Sequence, residues 1–404
     1  MNSNTCENEQ FILKALRNEE DFEESECIPN FVQSILEKLR SEFFKRFDVD
    51  ANDSTISNKF KDIEKDYIIT EDKILITPVE DYTIFKALGF DSHWCGGPEI
   101  KLIASDALKE KINQMEKELN KTHPNYHISV DGKINATNKI TQWYVGPAIK
   151  DEETLRFFMN NLSWKEPDIK EIEKWKNSRK ICMEKNFCQF ISTNMVMEGG
   201  LGVSFALISK LMRKNPELLN EWYDFLMIGP KLRFKASVKA GFKLFCTADD
   251  MAYKMGPMIS PENYWKFVVP RAKELCDIVR DIDGVIFMHT DGNIYNVIDC
   301  FIEAGYHAIQ PLEPTSEMSI AKVKEKWGDK IACIGNCDTT NTLPFKSELE
   351  IRNEVRKDMK EGRLKGKRGY MFAASGTLHN RIPLDNVLIM LDEFKKINSG
   401  MVKI

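Results

Sequence analysis

The chain has 404 residues, 42% of them hydrophobic, which supplies a sizeable core for one large domain with insertions or for two ordinary ones. A formal net charge of −5 with no basic tract leaves no footprint for nucleic acid, and no apolar run approaches the roughly 18 residues that a membrane span requires. The acidic start Met1-Asn-Ser-Asn-Thr-Cys-Glu-Asn-Glu9 does not read as a secretion signal, and the ten cysteines include no Cys-x-x-Cys pair, so a cytoplasmic protein with small buried thiols such as Cys246 and Cys333 is expected.

Residues 1–70 are charge-rich, and Val32, Ile35, Leu36 and Leu39 fall at helical spacing. They are expected to form an irregular, largely helical extension that covers the rest of the fold or makes a homodimer contact. Further on, His127 to Ile134 reads as a hairpin turning at Asp131-Gly132, with Ile140 to Val145 as its continuing strand. From about residue 180, strand and helix patterns alternate. The predicted strands are Phe187 to Ser192, Phe242 to Ala248, Val285 to His289, His307 to Pro311, Ile331 to Gly335 and Tyr370 to Ala374. Helices are expected after Ser260-Pro261, over Ile294 to Ala304 before Gly305, over Met318 to Trp327 before Gly328, and over 348–361 and 384–397.

This alternation fits a parallel barrel or an open doubly wound sheet. The even repeat favours an α/β fold of the (β/α)8 TIM-barrel type over residues 71–404. So do the polar residues that follow nearly every strand: Thr193-Asn194, Asp249-Asp250, His289 and Asp291, Glu313, Asn336 to Asp338, and Ser375. A barrel gathers them at one mouth, where such folds place their chemistry. Val285-Ile-Phe-Met-His-Thr-Asp-Gly-Asn293 is the most informative stretch, because a buried parallel strand runs directly into His289, Asp291 and Gly292. Each polar residue also has a plain structural use. Asp250 can cap a helix, Asp338 can hold a turn with Thr339 and Thr340, His307 fits a satisfied core position, Cys337 reads as a buried thiol or a ligand, and His379 fits a solvated loop as well as the mouth.

The order Asp249-Asp250, Gly256-Pro-Met-Ile-Ser-Pro-Glu262, Pro270, His289-Thr-Asp-Gly-Asn293, Gly305, Pro311-Leu-Glu-Pro314, Gly328-Asp-Lys330, Gly335-Asn336, Asp338 and Pro383-Leu-Asp-Asn386 resembles the uroporphyrinogen decarboxylase superfamily, over roughly residues 140–397. The resemblance implies a (β/α)8 barrel and one of two chemistries: decarboxylation of uroporphyrinogen, or methyl transfer to or from a corrinoid. Members that decarboxylate carry an arginine-rich segment near the N-terminus, suited to a substrate with many carboxylates. Here the first 100 residues hold only Arg17, Arg40 and Arg46. Members that methylate thiols use a zinc held by His-x-Cys and a later Cys, whereas this chain has His289-Thr-Asp291 and Ala374-Ser375-Gly376.

The resemblance therefore implies a methyltransferase that takes a methyl group from a small donor, such as a methoxylated aromatic, and gives it to the cobalt of a separate corrinoid protein. Its leaving oxygen needs a proton donor or a Lewis-acid metal. On this reading His289, Asp291, Glu313, Asp250 and Asp338 are the catalytic set, with His289, Asp291 and Glu313 as ligands if zinc or another divalent ion is used. Met195, Tyr253, Met258, Asn336 and Phe372 are the substrate-binding set. A decarboxylase of the parent type and a non-catalytic barrel that binds a tetrapyrrole or corrinoid are the alternatives.

Overall fold

The computed structural model describes residues 6–17, 27–46, 69–70, 73–74, 81–137, 142–365 and 369–404. Eight parallel strands close a barrel in chain order: β1 (Asn30–Val32), β2 (Ser92–Cys95), β3 (Cys188–Asn194), β4 (Leu244–Ala248), β5 (Val285–His289), β6 (Ala308–Gln310), β7 (Ala332–Cys337) and β8 (Tyr370–Ala374), which pairs back onto β1. This is the expected α/β barrel. All six predicted strands are present, β5 and β8 with the predicted ends and the others within three residues of them.

The expected boundary at residue 70 does not separate an extension from the barrel. β1 lies inside that segment, Val32 belongs to it, and Ile35 bridges to Leu378. After β1, helix resumes only at Glu37. A three-residue strand has no periodicity of its own, so the helical spacing that runs through it is coincidental. Most of residues 47–80 lies outside the described residues.

The interior is filled by alternate strand positions. Phe31, Phe190 and Phe287 meet edge-to-face at centroid distances of 5.0–5.8 Å. Small inward residues, Ala308, Ala332 and Ala373, make room for them. Beside this layer the helix Glu7–Arg17 inserts Ile12, Leu13 and Leu16 among Cys188, Leu244 and Val285. That helix plugs the barrel at the N-terminal ends of the strands, so part of the N-terminal segment does form the amphipathic cover expected of it. The opposite parity faces the helical layer: Ile191, Phe245, Ile286, Met288, Ile309, Cys333, Tyr370 and Phe372 pack there.

The predicted caps are present. Ser260 Oγ accepts the Asn263 N–H at 3.3 Å, and Gly305, at φ 97°, ends the helix Ile298–Ala304. The hairpin becomes a three-stranded sheet, Tyr126–Ile128, Lys133–Thr137 and Gln142–Pro147. Among the described residues, no helix is long and apolar enough to cross a membrane.

Candidate active site

Inward parity at the C-terminal ends of the strands brings together Trp94 of β2, His289 of β5 and Gln310 of β6. Gln310 is the direct register partner of His289. The Trp94 ring stands edge-on to His289 at 4.8 Å. Gln310 is buried, and its Oε1 makes a short contact with His289 Nδ1. An amide oxygen only accepts, so Nδ1 donates to it and Nε2 is the ring nitrogen left for other partners. Neither Trp94 nor Gln310 is among the residues expected from sequence, because both sit within strands and read there as ordinary members.

Two carboxylates join His289. Ligand atoms of Asp250, His289 and Asp291 all lie within 4.8 Å of one another. The loops that carry them are tied by their own polar groups. Asp250 Oδ1 accepts the Asp291 N–H at 3.0 Å. Asn293 N–H donates to the Tyr253 carbonyl at 2.9 Å. Gly292 adopts φ 90°, and a Cβ there would lie 2.5 Å from the Ala252 carbonyl oxygen, so the turn after β5 requires glycine. Desolvation raises the Asp291 carboxyl to about 6; His289 pulls it down, while Asp250 and Glu313 push it up.

Glu198, which sequence reasoning missed, belongs to the same electrostatic neighbourhood. Burial raises its carboxyl to about 7, Asp250 and Asp291 add to the rise, and Lys133 from the three-stranded sheet opposes it. Its position is set by Asp249. That fully buried carboxylate accepts the Met197 N–H at 2.9 Å and the Glu198 N–H at 2.6 Å, and burial first of all raises it to about 7. The only sequence signal for Glu198 is an acid four residues beyond a strand end.

Three members of the expected catalytic set meet, and two do not join them. Glu313 stands outside the group. Its Oε2 accepts the Gly292 N–H at 3.0 Å and the Ser316 hydroxyl at 2.8 Å, and its Oε1 accepts from Thr315. Burial pushes this carboxyl up, but those hydrogen bonds outweigh it and hold it below the ordinary glutamate range. These bonds order the loop, and Glu313 acts on the group through its charge on Asp291. Asp338 holds a turn: Oδ1 accepts the N–H groups of Thr340 (2.6 Å) and Asn341 (3.0 Å), and Oδ2 accepts the Asn341 side chain.

The expected substrate-binding set is corrected in a similar way. Met195 is buried, and its sulfur accepts the Tyr306 hydroxyl at 3.1 Å in the layer outside the barrel. Phe372 faces the helices and stacks on Phe394 at 4.8 Å. Met258 packs partly against that same layer. Asn336 does face inward, yet its amide donates to the Leu312 carbonyl at 2.8 Å and fixes a loop. Tyr253 remains exposed on the rim. His307 accepts the Ile286 N–H at 3.2 Å and burial lowers it to about 4; it is satisfied, as anticipated, but only half-buried.

The family model for uroporphyrinogen decarboxylase (URO-D) matches residues 190–397, just over half of the chain. Among curated proteins, the uroporphyrinogen decarboxylase of Mannheimia succiniciproducens is 26% identical over 209 residues, covering 50% of this chain and 54% of that protein. The uroporphyrinogen decarboxylase of Vibrio vulnificus is 26% identical over 213 residues, covering 52% and 56%. The chain thus spans about half the length of the curated relatives it matches. Among solved structures, a methyltransferase from Methanosarcina mazei shares the fold with a TM-score of 0.63 and 15% identity, over 96% of this chain and 98% of that one.

Proposed function

The chain belongs to the uroporphyrinogen decarboxylase family, and on that premise we propose that it is a cytoplasmic methyltransferase moving a methyl group from a small O-methylated donor to the cobalt of a separate corrinoid protein. The observation that carries this reading is the convergence of Asp250, His289 and Asp291 at the barrel mouth. Further support comes from the likeness in fold to a protein described as a methyltransferase.

Cleaving a methyl–oxygen bond leaves negative charge on the oxygen, and that charge is what the site must meet. Asp291, raised to about 6, keeps a protonated fraction near neutral pH and can protonate the leaving oxygen. His289, oriented by Gln310, presents Nε2 beside it. Trp94 supplies a flat apolar face suited to an aromatic donor. The acids Asp250, Asp291 and Glu198 would repel a substrate with many carboxylates, which weighs against the decarboxylase alternative.

One imidazole nitrogen and two carboxylates also fit a divalent ion such as zinc, with His289, Asp250 and Asp291 holding it. When bound, such an ion supplies Lewis acidity at the ether oxygen. The test is incubation of the purified chain with a methoxyaromatic panel and free cob(I)alamin. Phenol release with matching methylcobalamin formation is expected, and both should be lost in H289A. Turnover of uroporphyrinogen with no methyl transfer from any donor would overturn the proposal.

A further inference from the structure

At the closed end of the barrel lies a second chemical feature that the methyl-transfer reading does not use. Cys6, immediately before the plug helix Glu7–Arg17, has its Sγ 3.8 Å from Cys188 Sγ at the start of β3. The two residues are 182 positions apart in sequence. Arg179 clamps the same helix with two hydrogen bonds to Glu9, at 3.0 and 3.1 Å. The two thiols differ in character. Cys188 is fully enclosed among Leu244, Val285 and Leu13, whereas Cys6 is half-buried and lines an open cavity of about 830 Å³ together with Lys176, Arg179, Lys180 and Lys239. A small solute can therefore reach Cys6 and not Cys188.

We infer that Cys6 and Cys188 form an oxidisable pair, converted to a disulfide by exchange with a small disulfide that enters through this cavity. Sulfur atoms 3.8 Å apart are already in contact, so a bond of about 2 Å asks for a closure of only about 2 Å. The hydrogen bond from Cys188 lowers the Cys6 thiol to about 7, against the opposing effect of its partial burial, so a substantial thiolate fraction exists near neutrality. In the first step the Cys6 thiolate attacks one sulfur of RSSR, a Cys6–S–S–R bond forms, and RS⁻ departs. In the second, Cys188 passes its proton to water on the Cys6 side and its thiolate attacks the Cys6 sulfur, releasing a second RS⁻; the two RS⁻ take up the protons that Cys6 and Cys188 gave to solvent. Two protein thiols lose two electrons and two protons, and one RSSR becomes two RSH. The product ties the plug helix covalently to the barrel wall.

The test treats the full chain, native by circular dichroism, with excess oxidised glutathione at pH 8, then blocks free thiols with iodoacetamide and maps peptides without reduction. The expected result is a Cys6–Cys188 cross-linked peptide pair in the wild type and a stable glutathione adduct on Cys6 in C188S. The exposed Cys27 should form an ordinary adduct in both and serves as an internal control. A glutathione adduct that persists on Cys6 in the wild type would overturn the inference. So would a Cys6 that stays unreactive while Cys27 is modified.

Discussion

Replacing Asp249 with Asn should flatten one component of the protein's pH-dependent stability. Asp249 is fully buried, and burial raises its carboxyl from 3.8 to about 7 despite hydrogen bonds from two backbone N–H groups. The folded state therefore holds a proton that the unfolded state has released between roughly pH 4 and 7, and stability falls as pH rises through that window. At about 1.4 kcal/mol per pKa unit, the penalty is about 2 kcal/mol at pH 5 and about 4 kcal/mol at pH 8. Asn cannot titrate. Its loss of one acceptor adds a constant penalty of about 1–3 kcal/mol, the same at both ends of the range. The wild type should therefore lose about 2–3 kcal/mol relative to D249N between pH 5 and 8. Urea unfolding followed by circular dichroism at fixed ionic strength measures this difference. A difference curve flat to within about 0.5 kcal/mol would refute the assignment of a buried proton to Asp249.

Three further outcomes follow from the geometry. Gln310→Leu removes the acceptor of His289 Nδ1–H and should lower methyl transfer by about 10–100-fold at nearly unchanged fold, read as kcat/KM with circular dichroism as control. Gly292→Ala places a Cβ against the Ala252 carbonyl at an unfavourable φ and should destabilise the protein by about 1–3 kcal/mol, read by thermal unfolding. Asp338→Ala undoes the turn at Thr340 and Asn341 and should destabilise by about 1–2 kcal/mol while leaving methyl transfer within about twofold of wild type; a loss of transfer that exceeds the loss of folded protein would return Asp338 to the catalytic set.

The barrel was legible wherever its strands are continuous apolar runs. Val285 to His289 and Tyr370 to Ala374 have no competing helical pattern, and their ends fall as predicted. β1 and β2 were not legible. One is three residues in a charged segment, and the other, Ser-His-Trp-Cys, places a polar His93 outward between the Phe85 and Phe187 rings and Trp94 inward at the mouth. In the site, His289, Asp291 and Asp250 could be named because residues just past a strand end face the opening of any parallel barrel. Gln310 could not, since its value lies in facing His289 across one register step. Phe372 and Met195 failed on a different ground. Barrel strands are buried on both faces, so hydrophobicity does not distinguish inward from outward, and Phe372 takes the outward parity between inward Met371 and Ala373.

The plug helix bears on how the molecule is assembled in time. Ile12, Leu13 and Leu16 are made well before the last residues of the ring they seal, which includes Met371 and Ala373, and the Ala15 carbonyl accepts the Gly369 N–H at 2.9 Å just ahead of the final barrel strand. β1 waits for β8 in the same way, because its pairing with β8 closes the circle. Until Gly369 and the β8 strand have been made, three apolar side chains and two open sheet borders have no native shelter. Biogenesis is thus a stage at which this architecture exposes surface that the finished barrel hides.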